Sequence, residues 1–520
     1  MSLAVIHSRA LDGLHAPRVS VEVHVVNGLP SLTLVGLADT EVKEARERVR
    51  SALLSCDLPY PTNKRITVNL APADLPKESG RFDLPIALGI LVACGHLAPE
   101  ALDGAEFAGE LSLAGDLRPV RGALALALAV RRDHDASGAS GQNPPLLVLP
   151  TASALQAAQV PGVNVRSSQH LGELVLALQA KDAHARDLPA ALPLASAAAP
   201  PTWPDLLDVK GHGPAKRALE VAAAGGHSLL LVGPPGSGKS MLAQRLMGLL
   251  PPMRPDEALA SAALAGLASQ SGDDTPALGQ RPWRSPHHSA SSVALVGGGS
   301  PPRPGEVSLA HAGVLFLDEL PEFPRQALEA LREPLETRRI SIVRAARRAE
   351  FPCDFQLVAA MNPCPCGWRG AALGTGRVCQ CPPQTVARYQ GRLSGPLIDR
   401  IDLQIEVQPV PPGELLAHAV GEPSQRVAQR VAQARERAWQ RQGCANAALA
   451  PSQIPVHCAL DDGATPFLRS AAERLGWSGR SLHRAIKVAR TLADLAGRDT
   501  VGAVDVAEAI QYRRALVGVN

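Results

Sequence analysis

The segment Gly233–Ser240 has the residue types and the spacing of a loop that binds phosphate. Its two outer glycines allow backbone N–H groups to turn toward one anion. Lys239 can reach the β- and γ-phosphates of a nucleotide, and the Ser240 hydroxyl is a ligand for Mg²⁺. The pattern predicts a loop that binds a nucleoside triphosphate. Its residues are Gly233, Pro234, Pro235, Gly236, Ser237, Gly238, Lys239 and Ser240.

The residues on either side of this loop predict the elements that hold it. Leu229–Val232 is a continuous apolar run, which is typical of a strand buried on both faces of a parallel sheet. Residues 241–250 have the composition and the apolar spacing of a helix. The alternative is an ordinary Gly/Pro turn, but strand, glycine loop and helix in this order favour a phosphate-binding loop.

Asp318 and Glu319 are candidate catalytic residues, because they follow the apolar run 314–317. Ligands bind at the carboxyl ends of the strands in open α/β sheets. Asp318 is suited to hold Mg²⁺ through water, and Glu319 to polarise the attacking water. A surface acidic pair is the alternative, and the phosphate loop upstream makes hydrolysis the favoured interpretation.

Two further polar residues follow predicted strands or turns downstream. Asn362 ends the run 354–361 and is expected to contact the γ-phosphate or to align the water, as the first sensor does in AAA+ motors. Arg400 is a candidate arginine finger, which in a ring would face the nucleotide of the next subunit. The alternative is an ion pair of Arg400 with Asp399 or Asp402 of its own chain.

Four of the nine cysteines lie within residues 364–381, in two closely spaced pairs. The cysteines are Cys364, Cys366, Cys379 and Cys381. Four thiolates satisfy a closed tetrahedral Zn²⁺ site if a hairpin brings the pairs together, and such a zinc would be structural. The single residue within each pair is a tighter gap than the usual two to four, so free buried thiols are the alternative.

Residues 338–348 contain five arginines and alternate with apolar residues, which predicts a basic hairpin. The candidate DNA-binding residues are Arg338, Arg339, Arg344, Arg347 and Arg348. Such a patch can contact phosphates without reading base sequence, and a solvated charged hairpin is the alternative. His287 and His288 of the motif 281–288 are expected to point apart on a strand and to be structural.

Composition and charge limit the class of protein. The 520 residues are 46% hydrophobic and 19% charged, which indicates a globular chain of about two or three domains. The formal net charge is only +3, so any nucleic-acid contact must come from local patches. The sequence lacks an apolar run of roughly 20 residues and a signal-peptide pattern, so a cytoplasmic protein without a membrane span is expected.

Residues 1–180 alternate apolar strands with helices and are expected to form an α/β domain. Residues 75–87 and 109–120 resemble the proteolytic domain of Lon and its non-proteolytic relatives, a fold similar to the second domain of ribosomal protein S5. Asp83 stands where a Lon-type protease has its nucleophilic serine, and residues 122–127, at the lysine position, are small and apolar. Because a Ser–Lys pair is missing, no protease activity is expected.

The remaining boundaries follow from composition. Residues 181–205 are rich in alanine and proline and predict an interdomain linker. The AAA+ P-loop core is expected over 206–412, and a C-terminal helical lid over 413–520. Helices are predicted at 424–442, 465–475, 480–496 and 504–515. Arg480 is the candidate second sensor of this lid, with Arg484 and Arg490 as alternatives.

Several motifs together resemble one family. They are the Lon-like front domain, Arg281–His288, Gly297–Gly299, Asn362–Gly367 and the lid, and they resemble the ComM/YifB family of Mg-chelatase-like AAA+ ATPases. The resemblance implies a homo-hexameric ring that uses ATP and Mg²⁺, binds single-stranded or branched DNA and acts as a branch-migration helicase or translocase. Its setting would be homologous recombination during natural transformation. The alternative is a chelatase-like or chaperone-like motor that remodels a protein partner.

Overall fold

The computed structural model describes most of the chain, and the description that follows is confined to those residues. They are 3–36, 40–75, 77, 80–138, 144–180, 182–193, 202–269, 278–299, 301–344, 347–370, 378–416 and 421–513. Ser79 of the segment 75–87, residues 181 and 194–201 of the predicted linker, and residues 514–515 of the last predicted helix lie outside them. No helix of the described residues is long and apolar enough to cross a membrane.

The N-terminal domain is built on a seven-stranded mixed sheet. Its strands and those of a small ribbon are β1 Leu3–Arg9, β2 Arg18–Asn27, β3 Ser31–Val35, β4 Lys64–Ala71, β5 Ala105–Phe107, β6 Glu110–Leu111, β7 Leu117–Arg118, β8 Leu146–Pro150 and β9 Asn164–Ser168. Its helices are α1 Thr40–Ser55, α2 Asp83–Ala93, α3 Ala123–Ala136, α4 Thr151–Ala157 and α5 Leu171–Gln179. The strand order is β3-β4-β2-β1-β5-β8-β9, and β6 pairs with β7.

Helix α2 forms the centre of this domain, because every one of its residues is buried. Such a helix is apolar on all sides, as the run at 84–92 predicts. Asp83 begins the helix, is buried, and accepts hydrogen bonds from Arg48 and from the backbone N–H of Leu111. Burial raises the pKa of Asp83 to about 6, although the ion pair with Arg48 acts in the opposite direction. At the position that the sequence analysis assigns to the Lon serine, this chain therefore has a buried, ion-paired carboxyl group.

The N-terminal domain continues into the segment that the sequence assigns to a linker. The backbone N–H of Ala191 donates to the Val165 carbonyl, and Arg166 donates to the Leu188 carbonyl. Leu188 and Ala185 are buried in the same hydrophobic core. Residues 182–193 therefore pack against the N-terminal sheet, and an Ala/Pro-rich composition alone does not reveal such contacts.

The second domain is built on a five-stranded parallel sheet. Its strands and those of two ribbons are β10 Leu229–Val232, β11 Trp283–Arg284, β12 Gly297–Gly298, β13 Arg303–Pro304, β14 Val314–Leu317, β15 Arg339–Arg344, β16 Arg347–Pro352, β17 Gln356–Met361 and β18 Leu403–Glu406. Its helices are α6 Gly213–Gly225, α7 Lys239–Arg245, α8 Pro255–Ala268, α9 Ser292–Val296, α10 Glu306–Leu309, α11 Arg325–Ala330, α12 Pro334–Thr337, α13 Pro383–Gln390 and α14 Gly395–Ile398.

The order of the parallel sheet is β11-β14-β17-β10-β18, so the predicted strands β10, β14 and β17 are its three central strands. All of their residues are buried. Because the strands are parallel, their carboxyl ends lie at one edge of the sheet. The loop after β10, the acidic pair after β14 and Asn362 after β17 therefore lie at the same edge.

The C-terminal region is helical, as predicted. Its helices are α15 Pro412–Leu416, α16 Ser424–Gln442, α17 Ile454–His457, α18 Ala464–Leu475, α19 Gly479–Leu495 and α20 Ala503–Gln511. Gly443 and Gly476 end α16 and α18 in the left-handed conformation, with φ of +71° and +60°. The apolar faces of α16, α17, α18, α19 and α20 share one core with α6 and with the central sheet.

The N-terminal domain packs against the second domain through helices α3 and α8. Ala262 and Ala263 of α8 belong to the same buried cluster as Leu124 and Ala127 of α3. At the rim of this contact, Arg131 forms an ion pair with Asp256 at 3.2 Å. The small side chains allow the two helices to approach closely, so the N-terminal domain packs directly against the second domain.

Candidate nucleotide-binding site

The loop between β10 and α7 has the backbone geometry of a phosphate loop. Gly238 has φ of +84° and directly precedes the first residue of α7, where a β-carbon would be strained. A β-carbon at Gly233 would collide with the carbonyl oxygen of Val407, next to β18. The helix begins at Lys239, two residues earlier than predicted, so Lys239 and Ser240 lie in its first turn.

Lys239 is buried and points across the loop. Its Nζ donates to the carbonyl oxygens of Gly233 and Pro234 at 2.8 and 2.9 Å, and to Asn362 Oδ1 at 3.1 Å. Burial lowers the pKa of Lys239, and the nearby Asp318 and Glu319 carboxylates oppose that shift. The contact with Asn362 joins the ends of β10 and β17, as expected for a lysine and a sensor that act on the same phosphate.

Ser240 and Asp318 form the second link across the site. The Ser240 hydroxyl donates to Asp318 Oδ2 at 2.6 Å. Asp318 Oδ1 accepts from the backbone N–H of Glu319 at 2.9 Å. A hydroxyl and a carboxylate oxygen so close together are hard ligands that suit Mg²⁺. These two residues therefore fit the predicted magnesium site.

Glu319 lies at the open side of the site. Its backbone is left-handed, with φ of +52°, and its side chain is 54% exposed. His288 Nδ1 lies 3.1 Å from Glu319 Oε2. The prediction that His287 and His288 point apart is wrong, because both lie in a turn, where their ring centroids are 4.0 Å apart. A strand periodicity does not apply in this turn.

These residues surround a cavity of about 380 Å³. It is lined by Pro235, Gly236, Gly238, Lys239, Ser240, Met241, Asp318, Glu319, Met361 and Asn362. The structure thus brings together the predicted loop, both carboxylates and Asn362, the candidate first sensor. The volume and the polar lining suit the phosphates of a nucleotide.

Arg400 and Arg480 line a different cavity, of about 430 Å³, which shares no lining residue with the first. Arg400 is nearly buried, with a side chain 8% exposed, and forms an ion pair with Glu336. Arg480 contacts the other oxygen of Glu336 at 3.2 Å. Neither Asp399 nor Asp402 is the ion-pair partner of Arg400, so the intrachain alternative had the wrong partner.

The Asp402 side chain instead contacts Arg484 and His227. It is buried, accepts from Arg484 and lies 3.2 Å from His227 Nδ1. Burial alone would raise the pKa of Asp402, but Arg484 and His227 outweigh burial and hold it well below its usual range. Arg490 is completely buried and pairs with Asp494, inside the lid. Of the three candidate second sensors, Arg480 is the most exposed, at 65% of its side chain.

The predicted basic hairpin exists as β15 and β16. Ile340, Ile342 and Phe351 bury one face of the hairpin, whereas Val343 is 66% exposed. The structure describes the side chains of three of the five arginines. Arg338 pairs with Asp354 and Arg339 with Glu350, whereas Arg348 is exposed and donates to the Ser341 hydroxyl at 3.1 Å. The backbones of Arg344 and Arg347 face each other at the end of the hairpin.

The four clustered cysteines lie together beside the nucleotide site. Their sulfur atoms lie within 4.8 Å of one another, and three of the separations are 3.4, 3.6 and 3.7 Å. A tetrahedral zinc with Zn–S bonds of about 2.3 Å requires an S–S separation of about 3.8 Å. Cys364, Cys366, Cys379 and Cys381 are therefore compatible with zinc. Gly367 in this cluster packs directly on Pro235 of the phosphate loop.

The motif 281–288 contributes an edge strand of the sheet. Trp283 and Arg284 pair with β14, and the Trp283 ring stacks on Phe316 at 5.3 Å. Arg281 is largely buried and donates to the carbonyl oxygens of Pro251, Pro252 and Ala312. No pattern in the sequence indicates that this motif belongs to the sheet, because a strand of two residues is too short to show a periodicity.

The fold and the site define a P-loop protein with a parallel sheet and a helical lid. Residues 205–415 match the family model described as magnesium chelatase, subunit ChlI. Residues 421–513 match the C-terminal model of the same subunit. Residues 21–138 match a further model, described as subunit ChlI of Mg-chelatase. The three matches cover the P-loop domain, the lid and part of the N-terminal domain.

Full-length relatives identify the family within this class. The chain is 47% identical over 518 residues to the competence protein ComM of Haemophilus influenzae, covering 99% of this chain and 98% of the relative. It is 46% identical over 516 residues to the protein YifB of Salmonella typhimurium, covering 99% and 97%. It is 42% identical over 519 residues to the protein Mb2921c of Mycobacterium bovis, covering 99% of each. The chain belongs to the ComM/YifB family of Mg-chelatase-like AAA+ proteins.

Proposed function

We propose that this protein is an ATP-driven ring motor that acts on DNA, as a branch-migration helicase or translocase. The observation that carries the proposal is the convergence of Lys239, Ser240, Asp318, Glu319 and Asn362 on one cavity. Family membership indicates ATPase activity, since AAA+ proteins of the Mg-chelatase type bind ATP and Mg²⁺. The relative named as a competence protein supports a role in homologous recombination during natural transformation.

Hydrolysis is assigned to the residues around this cavity. Lys239 would bind the β- and γ-phosphates, and Ser240 and Asp318 would hold Mg²⁺, which neutralises charge that develops on the phosphates. Glu319 would take the proton of the attacking water, because its carboxylate is exposed at the open side of the cavity. Asn362, bound to Lys239, would align that water or the γ-phosphate.

A homo-hexameric ring is part of the proposal, because two assigned arginines lie away from the nucleotide cavity of their own chain. Arg400 and Arg480 meet at Glu336, in the second cavity. A phosphate of a neighbouring subunit could replace the Glu336 carboxylate as their anionic partner. Arg400 would then act as the arginine finger, and Arg480 as the second sensor.

DNA contact is assigned to the tip of the hairpin formed by β15 and β16. Arg338 and Arg339 have acidic partners within the chain, and Arg344, Arg347 and Arg348 are assigned to phosphate contacts because their positions lie at the end of the hairpin. Contacts of this kind do not depend on base sequence. They suit a motor that moves along DNA.

We also propose that the four cysteines bind a structural Zn²⁺. A zinc at this position would brace the loop between Asn362 and α13, and with it the contact of Gly367 on Pro235. All four protein ligands are cysteine, which leaves no open position for catalysis at the metal.

A second candidate function is the remodelling of a protein partner. The low net charge of +3 and the ion pairs of Arg338 and Arg339 favour it, because both reduce attraction for DNA. Both candidates use the same nucleotide site. They differ in what stimulates hydrolysis.

The experiment that separates them is the ATPase rate with and without single-stranded or four-way-junction DNA. The proposal expects stimulation by DNA that weakens as salt rises, because phosphate contacts release counterions. Replacement of Arg347 and Arg348 by glutamate should remove the stimulation and keep the basal rate. The same change at the exposed lid residues Arg469 and Arg474 is the control. A wild-type rate unaffected by DNA would favour the protein-remodelling candidate.

A further inference from the structure

His288 is the residue of the motif 281–288 that touches the hydrolytic machinery. Its Nδ1 lies 3.1 Å from Glu319 Oε2, and both side chains are partly exposed. The two atoms are close enough for an ion pair. This contact leaves Glu319 Oε1 for the attacking water.

The surrounding turn fixes the His288 ring in this position. The His287 ring packs beside it at an interplanar angle of 35°, with 4.0 Å between the ring centroids. His287 Nδ1 accepts from the backbone N–H of Ser289 at 3.3 Å, and lies 2.9 Å from the Ser289 hydroxyl. The His287 ring is therefore held by its own turn and supports one face of His288. A ring held in this way restricts the orientations of the carboxylate that it contacts.

An ion pair between Arg284 and Glu306 holds the chain on the N-terminal side of His288. Arg284 Nε and Nη2 each donate to one oxygen of Glu306 at 2.6 Å. Arg284 lies on β11 beside β14, the strand that Asp318 and Glu319 follow, and Glu306 begins α10. This bidentate pair joins β11 to α10 and restrains the backbone that leads to His288.

The far side of the same loop contacts the basic hairpin. Leu295 of α9 is buried in one cluster with Ile340 and Ile342 of β15. The close approach of Gly297 to Ile342 places the ribbon of β12 and β13 directly on that strand. A shift of the hairpin would therefore displace the loop that bears His288.

We infer that His288 is a positioning residue for the general base Glu319, and that it links the orientation of this carboxylate to the position of the basic hairpin. The inference rests on the proposed hydrolysis at Glu319. The motif 281–288 then has two roles. Trp283 and Arg284 form the edge strand β11 of the sheet, and His288 orients the Glu319 carboxylate.

Steady-state ATPase kinetics of His288→Ala and His288→Asn test the inference. Alanine should lower the basal kcat about tenfold or more and leave the KM for ATP within about twofold, because only orientation is lost. Asparagine should recover most of the rate, since its amide nitrogen occupies nearly the place of Nδ1. The ratio of DNA-stimulated to basal rate should fall in the alanine variant and return in the asparagine variant. His96→Ala, at an exposed histidine of the N-terminal domain, is the matched control.

Several results would overturn the inference. They are an unchanged or increased basal kcat in His288→Ala, an equal loss in both variants, and a rise in KM with a lower melting temperature. The last result would mean that His288 has only a structural role. If the wild-type protein hydrolyses ATP without any response to DNA, the proposed action on DNA fails, and the basal rates still decide the role of His288.

Discussion

At the scale of single residues, the functional groups depend on contacts between different strands. Lys239 binds Asn362, and Ser240 binds Asp318, so three strand ends are tied together by two side-chain hydrogen bonds. Glu319 is different, because its carboxylate faces the open side and contacts only His288 among the described side chains. Binding and hydrolysis should therefore be separable by substitution.

Glu319→Gln should bind ATP normally and hydrolyse it about 10²- to 10⁴-fold more slowly, because the amide cannot accept the proton of the attacking water. Phosphate release measures hydrolysis, and a fluorescent ATP analogue measures binding. Glu473→Gln, at an exposed glutamate of α18, is the control and should keep the normal rate. Continued turnover in Glu319→Gln would remove Glu319 as the base.

Asp402, which is buried in the core, should contribute to the free energy of unfolding. Its pKa is held well below the ordinary value of 3.8, so its stabilising contribution is present above that value and is lost as the pH falls through the lower, folded-state pKa. Asp402→Ala should lower the free energy of unfolding by about 3–5 kcal/mol at neutral pH, because Arg484 loses its buried partner. Chemical denaturation measures the change, and the exposed Asp462→Ala is the control. A change below about 1 kcal/mol would contradict this account.

At the scale of elements, the sequence predicts those parts whose pattern is local. The apolar runs at 229–232 and 314–317 are strands with the predicted bounds. Helix α16 also has its predicted limits, because its apolar spacing and the glycine that ends it are both local signals. The phosphate loop and the acidic pair were predictable for the same reason, since they are fixed by their place after buried strands.

Contacts between distant segments were not predictable in this way. Glu336 and Arg400 are 64 positions apart, and the ion pair between them depends on how α12 packs near α14. The His288 contact with Glu319 depends on a turn without periodicity. Residues 182–193 were predicted to be a linker from their alanine and proline content. That composition does not show that the segment packs against a strand edge of the N-terminal sheet. The sequence indicates which residues could take part in such contacts, but only the tertiary structure shows which residues pair.

The cysteine cluster is an element whose stability should depend on metal. The protein should contain about one zinc per chain, and Cys364→Ser combined with Cys366→Ser should lose it. Loss of zinc should lower the melting temperature and weaken ATP binding, because Gly367 of this cluster rests on Pro235. Cys444→Ser, at a cysteine outside the cluster, is the control. A stable, metal-free wild-type protein would refute the zinc proposal.

At the scale of the whole molecule, the central question is whether one nucleotide site needs two chains. Arg400→Ala should lower ATP hydrolysis by at least about 10³-fold if it is an arginine finger. Mixing Arg400→Ala with Lys239→Ala subunits should restore part of the rate, because some interfaces then combine an intact Lys239 with an intact Arg400. Arg474→Ala is the control, and melting temperatures show whether each variant is folded. No recovery on mixing of folded, assembled variants would contradict action between subunits.

The most direct test of the account is branch migration on a four-way DNA junction with homologous arms. The wild-type protein should convert the junction to its products only with hydrolysable ATP and Mg²⁺. Glu319→Gln should bind the junction and leave it unmoved. Wild-type protein that hydrolyses ATP in the same mixture without moving the junction would contradict the central claim, and so would movement that needs no ATP.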